Sequence, residues 1–224
     1  KYKGYISIGG KLPEKFASFN NEPGLNIYLS LNSINEDFLN FAFVKNNDPS
    51  IFELNMLAFD VKNFKFYDND FFDLAGMFDF SRSEVNGNLT SDKLNLDFRM
   101  DKTGFMRMEI NDSIIPNLSF LNATQPASDF IFNARVILKD FVFGKIKIKD
   151  FDAYIFNDKK SFVADNLKLD SNLISIKPFK NSSNAYFSIN KLQPLSKLSG
   201  DFLIKDSNKI PYLGDLADFS YFNG

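Results

Sequence analysis

The chain has 224 residues with 28 Phe, 8 Tyr, no Trp, no Cys and no His, and carries a net charge of -2. Without Cys or His there is no disulfide, thiolate nucleophile, triad base or imidazole ligand, and the balanced charge gives no electrostatic reason to expect nucleic acid. A 44% hydrophobic, 24% charged composition fits neither a disordered chain nor a membrane bundle, and the longest apolar runs fall far short of the roughly 20 residues a spanning helix needs.

In chain order, the first clear pattern is Leu25, Ile27, Leu29 and Leu31 alternating with Asn26, Tyr28, Ser30 and Asn32. Period two with one polar face marks a strand wetted on one side. Asn46-Asn47-Asp48-Pro49 and Asp68-Asn69-Asp70 then read as turns. The second of these, with Asp73, superficially resembles a calcium loop. It lacks the Gly and Glu of an EF-hand, so a plain turn is the better reading. Asn86-Gly87 is the next expected turn. Beyond it, Leu94, Leu96, Phe98 and Met100 alternate with Lys93, Asn95, Asp97 and Arg99.

Residues 113–126 (SIIPNLSFLNATQP) contain two prolines and read as a connector with a short helical turn at 118–121. They divide the chain into a first β block, 1–112, and a second, 127–224, which are two curved sheets or parts of one. In the second block Phe130, Phe132, Ala134, Val136 and Leu138 oppose Asn133, Arg135 and Lys139. The apolar parity flips at Gly144, from Phe141 and Phe143 to Ile146 and Ile148, which requires a bulge or a turn. Lys145, Lys147 and Lys149 form a ladder that suits a solvated face or a protected edge better than a phosphate contact. Asn157-Asp158 and Asp206-Ser207-Asn208 are further turn signals. Residues 208–217 (NKIPYLGDLA) are expected to form a short helix.

The whole is expected to be mainly β, an antiparallel meander of about fourteen to sixteen strands, too many for a flat open sheet. Little in it carries chemistry. Ser188-Ile189-Asn190-Lys191 has a serine–lysine spacing but sits in an alternating strand. The Asn-x-Ser/Thr sequons follow from the Asn-rich composition. No enzyme activity, cofactor or metal site is expected; a carboxylate-based glycosidase needs a positioned acid pair that no spacing singles out. The Phe excess fits an ordinary sandwich core, or an apolar sheet face that holds lipid chains. Periodicity does not separate the two.

Four stretches carry a resemblance: Met108 to Ser119 (MEINDSIIPNLS), Phe130 to Ile148, Phe162 to Ile176, and Leu198 to Phe222, with its Gly-x-hydrophobic strand and Leu-Gly pair. Their layout resembles the AsmA-like proteins of the bacterial envelope, the YhdP and TamB group, over residues 84 to 224. It departs at Lys177-Pro178-Phe179, where that family often has a Trp. The resemblance implies a long curved sheet with a half-open, β-taco-like groove. It implies a bridge-type lipid transport protein, with phospholipid held across the periplasm and an inner-membrane anchor outside this segment. A partner in the periplasm or outer membrane is a further implication. The chain begins at Lys1, as expected of an excerpt. On that reading the groove lining is Leu25, Ile27, Leu29, Leu31, Leu94, Leu96, Phe98, Met100, Phe130, Phe132, Val136 and Leu138. The rival reading is a closed β-sandwich of the envelope with no groove.

Overall fold

The computed structural model describes residues 3–11, 13, 24–35, 54–80, 84–117, 132–157, 161–178, 185–190 and 195–205. Several expectations lie outside these residues: the turns at 46–49 and 206–208, Asp158, the helical turn at 118–121, the helix at 208–217, and Phe130. The chain is mainly β, and no helix occurs among the described residues. It divides into two compact units, Lys1–Ala123 and Thr124–Gly224.

In the first unit the strands are β1 (Lys3–Ile8), β2 (Gly24–Asn35), β3 (Leu54–Phe66), β4 (Asn69–Asp79), β5 (Val85–Thr90), β6 (Asn95–Met100), β7 (Phe105–Asn111) and the short β8 (Ile114–Ile115). The order from β1 to β7 is sequential. The pairings from β3 to β7 are antiparallel, as a meander requires, but β1 to β2 and β2 to β3 are parallel. This corrects the all-antiparallel expectation. The physical reason is the length of the 9–23 and 36–53 connections, since a parallel return needs about a dozen residues or more. Strand β3 is accordingly buried on both faces through its first half, as an internal strand with a parallel neighbour tends to be.

Asn86-Gly87 is not a turn. Gly87 lies inside β5 opposite Phe78, where a Cβ would stand 2.7 Å from Phe78 Cε1. The first connector is also partly structured. Ser113 is buried, its Oγ accepts from the Asn95 amide at 2.8 Å, and the Ile114 amide donates to the Lys93 carbonyl at 2.8 Å.

The second unit holds β9 (Phe132–Phe143), β10 (Ile146–Asn157), β11 (Ser161–Ser171), β12 (Ile174–Lys177), β13 (Tyr186–Asn190), β14 (Leu195–Ser199) and β15 (Asp201–Ile204). Gly144-Lys145 is a tight turn that pairs Phe143 with Ile146 and Phe141 with Ile148. A two-residue loop sets position i against i+3, so the parity flip seen in the sequence is its direct consequence. The sheet forks at β11: Ser161–Ala164 pairs with β13, while Leu169 and Asp170 pair with β12. Asn166, with φ of 52°, lies where the β10–β11 register shifts. That bulge turns both Ala164 and Leu167 inward, into a cluster with Ala153, Ile176 and Ala185.

The polar face of the second unit is laced by opposite charges. Arg135 reaches the Asp152 carboxylate with two nitrogens, at 3.0 and 2.8 Å, and Lys168 stands opposite Asp152. Lys205 donates to Asp170 and holds its carboxyl below the ordinary value of 3.8, assisted by the charges of Lys149 and Lys177. The Lys145–Lys149 ladder is exposed at all three lysines.

Asp101 carries the clearest acid-sensitive device. Its carboxylate accepts from the Thr103 hydroxyl at 2.6 Å, the Thr103 amide at 2.8 Å and the Phe105 amide at 3.1 Å, closing the β6–β7 turn. The Thr103 hydroxyl is the main reason its pKa lies below 3.8. A carboxyl depressed on folding stabilises above its unfolded pKa, and that contribution is lost as pH falls through the folded value. Thr103→Ala is therefore expected to lower stability at neutral pH and to move the acid-unfolding midpoint upward, the difference from wild type closing as pH falls through the folded value. Circular dichroism across an acid titration reads this directly, and an unchanged midpoint refutes it.

Candidate functional site: an apolar face in the first unit

Strand register, rather than proximity in sequence, assembles the site. Residues directly opposite on paired strands share a face. Following the pairings gives one row, Ile6–Ile27–Leu57–Phe78–Gly87–Phe98–Met108, with one residue from each of seven strands. A second row lies two residues along: Ile8–Leu29–Phe59–Gly76–Leu89–Leu96–Ile110. Neither row contains a polar side chain. Val85, Met100 and Met106 begin a third. At a strand spacing of about 4.8 Å the rows run about 29 Å across the sheet.

The reverse face is polar toward β5–β7, where Asn88, Asp97 and Glu109 stand in register. Under β2–β4 it is buried, with Tyr28, Met56 and Ala58 packed against Met77. Polar groups there are paired: Tyr28 donates to Asp60 at 2.8 Å and Asn55 to Asn26 at 2.9 Å.

The apolar face differs from one side to the other. Toward the β3–β4 turn, Tyr67-Asp68, it is closed. Val61, Phe64, Phe71 and Leu74 are buried there with Phe59, and Leu29, Leu31, Leu94 and Ile115 pack against them. Asp73, with φ of 52°, reverses the parity of β4, so that Phe71 and Leu74 both turn inward and Phe72 turns out. The closure is tied by Asn69, 1% exposed. Its amide donates to the Asn117 carbonyl at 2.9 Å, and its Oδ1 accepts from the Asn117 amide at 2.9 Å.

Asn69 is thus a structural tie. The Asp68-Asn69-Asp70 stretch mixes the exposed Asp68 and Asp70 with this buried amide. Among the described residues no group of three or more acidic, His or Cys side chains is arranged to hold a metal. Asn69→Ala removes both hydrogen bonds between this buried side chain and the exposed Asn117 backbone. It is expected to cost about 3 kcal/mol in urea unfolding, and a cost below about 1 kcal/mol would show that the tie is dispensable.

On the other side the face is half open. Ile27, Leu57, Phe78, Phe98, Met100, Met106 and Met108 are all half-buried, and at β1 the exposure of Ile6 and Ile8 rises to 44% and 52%. Phe78 packs edge-on against Phe98, with ring centroids 6.3 Å apart, and lies nearly parallel to Phe59 at the same distance. The rings reach this arrangement because their cross-strand partners, Gly76 and Gly87, have no side chain to displace them.

Of the lining residues expected from the sequence, Leu25, Ile27, Leu29, Leu31, Leu94, Leu96, Phe98 and Met100 fall in the first unit and are half-buried. The register brings the β2 and β6 sets to one face. Leu29, Leu31 and Leu94 pack on its closed side. Val136 and Leu138 lie in the second unit, half-buried, opposite Ala153 and Phe151, and Phe132 opens β9. That third set belongs to a separate unit, in which Ala134, Ala153 and Ala185 are fully buried.

The sequence reading missed Phe59, Val61, Phe78, Met106, Met108 and the two glycines. Strand β3 hides its share because apolar residues face both ways along it. No helix of the described residues is long and apolar enough to cross a membrane. No protein-family model, curated protein or solved structure matches the chain.

Proposed function

We propose that this chain is a segment of an AsmA-like, bridge-type lipid transport protein that holds phospholipid acyl chains on the apolar face of its first unit and makes or breaks no bond. The observation that carries this reading is the pair of wholly apolar rows crossing seven strands. An occupant lying along them meets no hydrogen-bonding side chain, and the strand amides beneath are used within the sheet. A peptide would leave its own backbone groups unpaired there. A hydrocarbon chain has none to satisfy.

The size is adequate. A bilayer core is about 30 Å thick, so one acyl chain needs about half the width of the rows. At about 0.8 kcal/mol per buried methylene, a chain of about sixteen carbons gains on the order of 10 kcal/mol. With the layout resemblance, this supports a place in the periplasm of a bacterial envelope, with the inner-membrane anchor elsewhere in the parent protein. The closed cluster around Phe71 favours the rival reading of a sandwich module, though only for one side of the face.

Protein purified from membranes is expected to carry phospholipid, released and identified by native mass spectrometry. Folded, delipidated protein that neither retains nor rebinds lipid from vesicles would overturn the proposal.

A further inference from the structure

The chain has five methionines, and three of them share one corner of the apolar face. Met100 and Met106 are directly paired across β6 and β7, and Met108 is paired with Phe98. All three are half-buried on the open side, beside the Asp101–Gly104 turn. Met56 and Met77 lie on the reverse face of the same sheet, in a cluster with Tyr28 and Ala58. Apart from Val85 and the two glycines, the rows are otherwise built from Leu, Ile and Phe, whose branched or planar shapes present a fixed surface. Methionine is unbranched, with three rotatable side-chain bonds and a polarisable sulfur, so it remoulds around partners of different shape.

We infer that Met100, Met106 and Met108 are the specificity-determining residues of the site: they let it accept acyl chains that differ in length and unsaturation. This rests on the lipid reading above. Straight and kinked chains diverge most toward one end. An adaptable corner beside a rigid Leu and Phe lane accommodates that divergence without moving the strands.

The test is competition loading. The protein is incubated with vesicles of phosphatidylethanolamine and phosphatidylglycerol bearing mixed saturated and mono-unsaturated chains, and the bound species are read by native mass spectrometry. The triple variant M100L/M106L/M108L nearly conserves volume and hydrophobicity. It is expected to shift the ratio of saturated to unsaturated chains among the lipid it loads by about threefold or more. The control M56L/M77L, on the reverse face, is expected to leave that ratio unchanged. A triple variant that loads the wild-type mixture overturns the inference while leaving the lipid reading intact. An equal shift in the control overturns it as well, by removing the link to this corner. Wild-type protein that loads no lipid overturns the lipid reading itself, and the inference with it.

Discussion

In the Phe98→Asp protein, phospholipid recovered from membrane-purified material is expected to fall several-fold while the melting temperature drops by only a few degrees. Phe98 is half-buried in the middle of β6, with Gly87 and Met108 as its cross-strand neighbours. Removing its ring sacrifices the edge contact with Phe78, worth about 1 kcal/mol, or about 3 °C in a chain of this size. A carboxylate at this position reaches water when the face is empty. Once an acyl chain lies along the row the charge is stranded against hydrocarbon, which costs several kcal/mol, so loading falls first.

Phe71→Asp is the contrasting variant. Phe71 is 2% exposed within the closed cluster, and a charge there has no route to solvent. The first unit is expected to lose its cooperative melt altogether, since the penalty of several kcal/mol is comparable to the whole stability of a domain. If Phe98→Asp behaves like Phe71→Asp, the row is a closed core and the sandwich reading takes over. If its loading is unchanged, the lipid lies elsewhere.

The alternation of β2, β6 and β9 was legible, but not which face would be covered: Asn26 and Tyr28, the polar set of β2, are both 3% exposed, and Ile137 is buried opposite the alternating set of β9. Strand direction was not legible from the same signal, since side chains alternate identically in parallel and antiparallel pairs. It lay instead in the length of the 9–23 and 36–53 connections. Asn86-Gly87 misled for a related reason. Glycine removes a side chain both at a tight turn and where a neighbouring ring needs room, and only the register of Phe78 tells the two apart. Ser113 to Asn117 read as connector because of Pro116. Yet Ser113, Ile115 and Asn117 each meet partners distant in sequence, at Asn95, the Phe71 cluster and Asn69. Of the site, one face of two strands was visible from the sequence. Its continuation through β3, β4 and β7 required the pairing.

Gly76→Val should be strongly destabilising although it leaves every polar group of the first unit in place. Gly76 is buried between Phe59 and Leu89. A Cβ there would stand 2.6 Å from Leu89 Cδ2 and 2.8 Å from Phe59 Cε2, and closer still to Phe59 Cζ. Two effects oppose each other. Replacing glycine within a strand recovers about 0.5–1 kcal/mol of backbone entropy. Against that, the Phe59 ring, packed with Val61 and Phe78, cannot swing aside without opening the closed cluster, and overpacking of this kind costs about 1–3 kcal/mol even before burial is lost. The clash wins, with an expected net loss of about 3 kcal/mol and a fall in melting temperature of about 6–12 °C. Gly87→Ala should cost less, because the half-buried Phe78 ring has solvent to move into. The decisive measurement is a double-mutant cycle in urea with Phe59→Ala, which on its own should cost about 3–5 kcal/mol. With the ring gone, the introduced valine side chain has space, so the double variant should be more stable than the sum of the single costs by about 1–3 kcal/mol. Strictly additive costs would mean that the Phe59 ring does not lie over Gly76, and the aromatic lane built on that contact would fall with it.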